Sequence, residues 1–322
     1  MHELSFAGMI SGRPMRPALR TVWITLIVVV LSAPALWAQH AQRARHSRHV
    51  HHGLIARAAV RSDATTHAVA EVAHGVRMRW THRAGAHVRY LLRSRQTAPD
   101  PTGSAHARGT VDVLTNRVEP DGTAVQTVSM EHSMSTGALA RPFDASGLDR
   151  ALHTARARVR VDVLGHVVSE GGGRSGDAAR DAIAANYAWL VPTFPDREVP
   201  VGGTWTDRRS SRFELGLGMH LTLQAETTYT LRRVLRGANG RSQLVVGTSQ
   251  RLSVPQGSDV SGMPIQGTGH ADGQCILDPA DGSVMYAASR GSIDLEMPSA
   301  EVLTHRTSVR FDDELRIAAG RP

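Results

Sequence analysis

Arg156-Ala157-Arg158-Val159-Arg160-Val161-Asp162-Val163 is the stretch that decides the fold, because charged and apolar residues alternate along most of it. Side chains on a β-strand point alternately to the two faces of a sheet. This stretch therefore predicts a strand with one apolar face and one charged face. Such strands are typical of antiparallel sheets that have one face in contact with solvent.

The same alternation recurs along the chain and predicts a mainly β protein. Residues 76–81 alternate in this way, and Gly85 then predicts a hairpin turn to a second strand over residues 88–93. Residues 221–226 and 228–231 follow the same rule. Asx-Gly pairs supply the positive φ of tight hairpin turns, and about ten to twelve strands are expected between such turns. The pairs are Asp121-Gly122, Asn239-Gly240, Asp272-Gly273 and Asp281-Gly282.

Residues 175–190 break the pattern and favour a helix. The segment is rich in alanine, and Ala179, Ile183 and Trp189-Leu190 can form one apolar face. Pro192 and Pro195 follow it, as proline often follows the end of a helix. We therefore expect one helix between two runs of strands.

Two halves of the chain, residues 76–170 and 196–318, share an order of features. Each has a Trp-Thr pair, then a Tyr-x-Leu motif, then an Asx-Gly hairpin and a late hairpin. This order predicts two antiparallel β-meander halves, arranged as a sandwich or an open barrel, with helix 175–190 joining them. A duplication would explain it, and coincidence in a strand-rich chain is the alternative.

Val199-Pro200-Val201-Gly202-Gly203-Thr204-Trp205 resembles a signature of bacterial exported β-rich proteins, in which Val-x-Val-Gly-x-x-Trp opens the second half. The resemblance covers residues 76–318. It implies an exported β-rich protein and carries no activity, because that family has none assigned. Many of its members are lipoproteins, whereas Gln39 and not cysteine follows the apolar run of this chain.

Residues 1–38 are predicted to be a secretory signal peptide, starting at Met1 or Met15. Three arginines precede an uncharged run, residues 21–38, that ends in small residues. A basic start, an apolar middle and a small-residue end are the features of such signals. We expect cleavage after Ala38, with cleavage after Ala35 as the alternative, and a periplasmic or secreted product. The alternative is an uncleaved signal that tethers the protein to the inner membrane.

Residues 39–70 are predicted to be a disordered linker rich in Arg and His, followed by a β-rich domain over residues 71–322. The chain has a net charge of +8, of which +2 falls in residues 1–38 and +4 in the linker. The domain itself is nearly neutral, which argues against nucleic-acid binding. Arg43, Arg45 and Arg48 are candidates for contact with an anionic surface, and a merely solvated linker is the alternative.

No catalytic motif is present, so the catalytic residues are unknown and no cofactor is expected. His67, Glu71 and His74 would share one helix face and are the candidates for a zinc site. A solvated polar face is the simpler interpretation of these three. Two further candidates have simple structural interpretations. Turn aspartates around Asp278 suit calcium or backbone capping, and Cys275, in an apolar segment, suits a buried, inert thiol.

The leading hypothesis is a non-enzymatic exported protein that binds a lipid or another apolar or amphipathic ligand of the cell envelope in a concave sheet. A deep apolar pocket would favour it. One alternative is an envelope hydrolase or metal-dependent enzyme, favoured by a polar cleft where His132, His166 or His220 meets carboxylates. The other is a structural or partner-binding module, favoured by a filled core with neither feature.

Overall fold

The computed structural model of the chain describes residues 75–97, 104–134, 154–170, 178–216, 219–236, 241–260, 263–280, 282–297 and 305–318. The predicted signal peptide and linker lie outside these residues. The described elements are β1 (Val76–Arg77), β2 (His87–Thr97), β3 (Ser104–Val118), β4 (Ala124–Met134), β5 (Ala157–Val161), β6 (Val167–Ser169), α1 (Ala178–Leu190), β7 (Glu198–Val199), β8 (Thr204–Gly216), β9 (Met219–Arg236), β10 (Ser242–Val260), β11 (Met263–Asp278), β12 (Ser283–Met297) and β13 (His305–Ile317).

Eleven of these strands form one open antiparallel sheet in the order β6-β5-β4-β3-β2-β13-β12-β11-β10-β9-β8. Within this sheet, β2 lies near the middle, and the chain proceeds from it strand by strand to the edge at β6. It then crosses through α1 to the other edge at β8 and returns strand by strand to the middle at β13. The prediction of two antiparallel meander halves with a helix between them is confirmed. The halves join where β2 pairs with β13, and β1 and β7 form a separate two-stranded sheet.

The strands bury one face, as their sequences require. In β5, Ala157, Val159 and Val161 are at most 2% exposed, whereas the arginines between them are exposed. Turns predicted from glycine have the expected backbone. Gly122 and Gly282 have φ of 85° and 62° and lie in the β3–β4 and β11–β12 hairpins. The period-two pattern thus decides which face of each half enters the core.

The core lies between the concave face of the sheet and α1. Ile183, Tyr187 and Leu190 of the helix are buried in one cluster with side chains from both halves of the sheet. Burying a large apolar side chain contributes roughly 1.5–3 kcal/mol, so this helix face is a major part of the stability. The prediction of a helix that ends before Pro192 is confirmed.

Two local predictions are wrong. Residues 76–81 do not pair with β2. Only Val76–Arg77 forms a strand, and it pairs with β7. Beyond Arg77 the chain bonds to other segments instead of forming a strand. The Trp80 amide donates to the Val163 carbonyl, and the Thr81 amide donates to the Pro279 carbonyl.

Asp272-Gly273 is the second wrong prediction, since it lies within β11 and not in a turn. Asp272 is paired in register with Ser249 on one side and Arg290 on the other. The apolar and polar alternation of β11 continues through it, and the strand's two ladders override the local turn preference. Among the described residues, no helix has the length and apolar character that a membrane crossing requires.

Candidate functional site

A slot separates the two edge strands of the sheet, β6 and β8, and α1 forms its floor. The helix packs against β4, β5 and β6 on one side and against β8 on the other. The slot has a volume of about 440 Å³. Its floor is lined by Ala184, Ala185 and Ala188, and its walls by Gly165, His166, Val167, Ser169, Asp207, Arg208, Arg209, Ser210 and Ser211.

Arg209 fixes α1 to the β8 wall. Its guanidinium pairs with Asp207 at 2.6 Å and donates hydrogen bonds to the carbonyl oxygens of Ala188 and Val191. The last carbonyls of a helix have no partner within the helix and carry partial negative charge, so a cation is favoured there. Trp189 adds a hydrogen bond of 3.0 Å from its indole nitrogen to Ser211 Oγ.

Tyr187 fixes the same helix to the other half of the sheet. Its hydroxyl donates to Gln126 Oε1 on β4 at 2.8 Å, and Gln126 Nε2 donates to Thr115 Oγ1 on β3 at 3.2 Å. Burial raises the pKa of Tyr187 well above its ordinary value, so the hydroxyl stays protonated and remains a donor. Because α1 is held by both halves of the sheet, the width of the slot is set by packing.

The segment that follows α1 is held by one tryptophan from each half. Trp80 Nε1 donates to the Pro192 carbonyl at 3.0 Å, and Trp205 Nε1 donates to the Thr193 carbonyl at 2.7 Å. Phe194 stacks on Trp80 with ring centroids 4.8 Å apart. The two Trp-Thr motifs of the sequence therefore converge on the same segment, at one end of the slot.

Gly165 closes that end of the slot in a conformation that favours glycine. Its φ is 89°, and a Cβ atom there would lie 2.3 Å from the Pro192 carbonyl oxygen. This hairpin and the segment after the helix are therefore in direct contact, and a side chain at this position would push them apart.

His166 and Asp162 form the one His–carboxylate pair at the rim of the slot among the described residues. His166 Nδ1 lies 2.8 Å from Asp162 Oδ2, and Asp162 Oδ1 accepts hydrogen bonds from the backbone amides of Leu164 and His166. This carboxylate therefore organises the β5–β6 turn. No serine or cysteine among the described residues hydrogen-bonds to His166, so the pair lacks the nucleophile of a hydrolytic site.

The charges around the slot nearly balance. Asp181 and Asp207 face Arg208 and Arg209, with His166 at the opposite wall. Arg209 and Asp207 are already paired with each other, and the Arg208 side chain, which is 80% exposed, pairs with Glu226. The slot therefore suits a ligand without strong net charge.

A second polar group lies on the concave face, deep in the interior and separate from the slot. Asp313 on β13 is fully buried and paired in register with Ser94 on β2 and Ser289 on β12. Within the described residues, neither Asp313 carboxyl oxygen nor Ser289 Oγ makes a hydrogen bond of normal geometry. Burial raises the pKa of Asp313 well above its ordinary value, and the Ser94 hydroxyl opposes this only in part.

Most of the candidate residues from the sequence do not meet at this site. His67, Glu71 and His74, like Arg43, Arg45 and Arg48, lie outside the described residues. His132 is on β4, in register with Gly109, and His220 is on β9, in register with Glu214 and Asp259. Only His166 lines the slot. No group of three potential metal ligands forms within the described residues.

Asp278 and Cys275 have the structural roles that the sequence favoured. Asp278 Oδ1 accepts a hydrogen bond from the Ala280 amide at 3.1 Å, as an Asx turn requires. Cys275 is fully buried, and burial raises the pKa of its thiol well above the ordinary value. A thiol in this environment stays protonated and unreactive.

Asp207 and Arg209 are functional residues that the sequence reasoning missed. They follow Trp205 at every second position on β8, so they share its inward face. Two charged residues at inward positions of an alternating strand are unusual, because burying a charge without a partner is costly. The occurrence of two charged residues at the alternate positions after Trp205 is the sequence signal that could have identified them.

No protein-family model, curated protein or solved structure matches this chain. The resemblance of residues 199–205 to exported β-rich proteins therefore stays a prediction.

Proposed function

We propose that this protein is an exported, non-enzymatic binding protein that holds an amphipathic ligand of the cell envelope in the slot between β6 and β8. The observation that carries the proposal is the mixed lining of the slot. Three alanines of α1 provide an apolar floor, and the walls carry hydroxyls, carboxylates and guanidinium groups. A volume of about 440 Å³ lies within the range of small-ligand sites.

In the described residues, the space between α1 and the sheet does not form the deep apolar pocket that would favour a ligand in the interior, so the slot is the more suitable site. The cluster between α1 and the sheet is filled by side chains such as Ile183, Val246 and Leu277, each at most 1% exposed. A ligand would have to displace α1 to enter there. The slot is already open to solvent, and its alanine floor lets a chain approach the helix backbone closely.

The near balance of charge around the slot favours a zwitterionic or uncharged polar end on the ligand. A ligand with one net charge would meet both carboxylates and guanidinium groups in the slot, so attraction and repulsion would largely cancel. The catalytic alternative has only the His166–Asp162 pair in its favour, and that pair lacks a nucleophile among the described residues. Export through residues 1–38 and surface contact through Arg43, Arg45 and Arg48 belong to the same proposal.

Lysophosphatidylcholine is a suitable probe, because it has one acyl chain and a zwitterionic head group. We expect saturable binding by isothermal titration calorimetry. Ala185→Trp should fill the slot and weaken binding at least about tenfold. Val168→Trp is the matched control, since Val168 is 62% exposed and does not line the slot. Equal binding by both variants at unchanged melting temperature would refute this site.

A further inference from the structure

β8 is an edge strand, and the backbone of every second residue faces away from β9; two of these residues, Arg208 and Ser210, line the slot. The Gly203 carbonyl accepts a hydrogen bond from the Leu231 amide of β9, whereas the Thr204 carbonyl accepts one from the Arg197 side chain on the other side. In an antiparallel ladder, the amide and carbonyl of one residue point to the same side. The backbone amides and carbonyls of the even-numbered residues therefore point away from β9. After Thr204, these residues are Thr206, Arg208 and Ser210.

The opposite wall has the same property. The Asp162 amide donates to the His166 carbonyl, and the Glu170 amide donates to the Arg158 carbonyl. Residues 166, 168 and 170 therefore face β5, and the backbone groups of Val167 and Ser169 face the slot. Both residues line it. In the described part of the chain, no backbone–backbone hydrogen bond outside the ladders reaches these two residues or the three on β8.

We propose that the ligand of the slot is an extended polypeptide segment that adds a strand to the edge of β8. The inference rests on the proposed function for the location of the site and names the class of ligand. Main-chain hydrogen bonds supply affinity in this mode of recognition, and side chains that face the protein supply specificity. Here every second side chain of the peptide faces the alanines of α1.

Because the slot lies between β6 and β8, its occupant must be a single strand that has no neighbouring strand of its own on either side. A folded second copy of this protein would bring its own sheet beside the pairing strand, and β6 would exclude it. A single unfolded segment has no such neighbour. The run from Thr206 to Ser210 spans about 17 Å at about 3.4 Å per residue, so it pairs with about five peptide residues.

Charge and polarity narrow the peptide further. The slot has nearly balanced charges and an alanine floor, so uncharged peptides with small or β-branched residues fit best. Proline at a pairing position would remove a donor and is excluded. The preferred partner is therefore an uncharged, strand-forming segment from a chain that is not folded at that point.

The test uses the full-length protein and a fluorescein-labelled peptide of seven alternating threonine and valine residues. The matched peptide is identical except that each backbone nitrogen is methylated. We expect the first to bind saturably and the second to bind at least about tenfold more weakly, because it cannot donate to a ladder. Equal binding would show apolar adsorption and overturn strand addition.

Two measurements place the peptide on β8. Arg208→Pro and Arg208→Ala both lose the guanidinium, but only the proline variant also loses the amide that faces the slot. Arg208→Pro should therefore bind the peptide at least about fivefold more weakly than Arg208→Ala. In the unaltered protein, peptide should slow hydrogen exchange at Thr206, Arg208 and Ser210. This second readout does not depend on the folding of the proline variant. Unchanged exchange at all three would overturn the inference.

The outcomes separate this inference from the proposed function. Binding of lysophosphatidylcholine, blocked by Ala185→Trp, without binding of the peptide would leave the proposed function standing and overturn strand addition. Binding of the peptide to Ala185→Trp as tightly as to the unaltered protein would place it elsewhere and overturn the inference too. Binding of neither probe would overturn both.

Discussion

Replacing Asp313 by asparagine should stabilise the protein increasingly as the pH rises. Asp313 is fully buried on β13, and no hydrogen bond of normal geometry reaches its carboxyl oxygens within the described residues. Burial raises its pKa well above the ordinary value. In the unfolded chain the same carboxyl has its ordinary pKa of about 3.9. Asparagine keeps the shape of the protonated acid and has no proton to lose.

The sign and size follow from proton linkage. Between the unfolded pKa and the raised folded pKa, the folded state binds more protons than the unfolded state. The free energy of unfolding of the unaltered protein therefore falls as the pH rises through that interval, by at most about 1.4 kcal/mol per pH unit for this group. Relative to the unaltered protein, Asp313→Asn should gain up to about 3 kcal/mol between about pH 5 and about pH 7.

Urea denaturation followed by tryptophan fluorescence at about pH 5, 6 and 7 measures this difference. Asp312→Asn is the matched control, because Asp312 is the neighbouring carboxylate and pairs with Arg290 at 2.7 Å while remaining partly exposed. The control should lose about 1 kcal/mol or less and show no gain with pH. Parallel curves for Asp313→Asn and the unaltered protein would refute the reasoning, since they would mean that Asp313 is ionised and compensated in the folded state.

Three further predictions test the anchors of α1 and the buried thiol. Arg209→Met should lower the free energy of unfolding by about 2–4 kcal/mol, because the carbonyls of Ala188 and Val191 and the Asp207 carboxylate lose their partner. Arg208→Met should change it by about 0.5 kcal/mol or less, and equal losses in urea denaturation would contradict the anchor. Tyr187→Phe should cost about 1–3 kcal/mol by leaving Gln126 Oε1 without its donor, and an unchanged melting temperature would argue against this bond. Cys275 should react with Ellman's reagent only in denaturant, because its thiol is buried and protonated; rapid reaction of the native protein would show that the core opens there.

Local sequence patterns predicted most of the strands, the helix and two of the four Asx-Gly turns, because these depend on neighbouring residues; Asn239-Gly240 lies outside the described residues. The alternation in residues 156–163 identified the buried face of β5, and Asp121-Gly122 identified a real hairpin. The same reasoning failed where long-range contacts decide. Residues 76–81 alternate like a strand, yet β1 pairs with β7, more than a hundred residues away. Local preference carries no information about such a partner.

The candidate site was predictable only in part for the same reason. Sequence reasoning placed helix 175–190 between the two halves. It could not show that β6 and β8 are the edges on either side of that helix, because their proximity follows from the whole strand order. Asp207 and Arg209 gained meaning only when that order placed β8 at an edge beside the end of α1.

β8 is an edge strand of 13 residues, and its charged pair, Asp207 and Arg209, bears on how this edge avoids pairing with other chains. Long edge strands attract other chains, and inward-pointing charges are one of the devices that limit such pairing. Asp207 and Arg209 point inward, but both are engaged, with each other and with α1. The protection of this edge therefore comes mainly from geometry: α1 and β6 restrict access to the slot. A barrier of shape excludes folded sheets and still admits a single extended segment, which is the selectivity that strand addition in the slot requires.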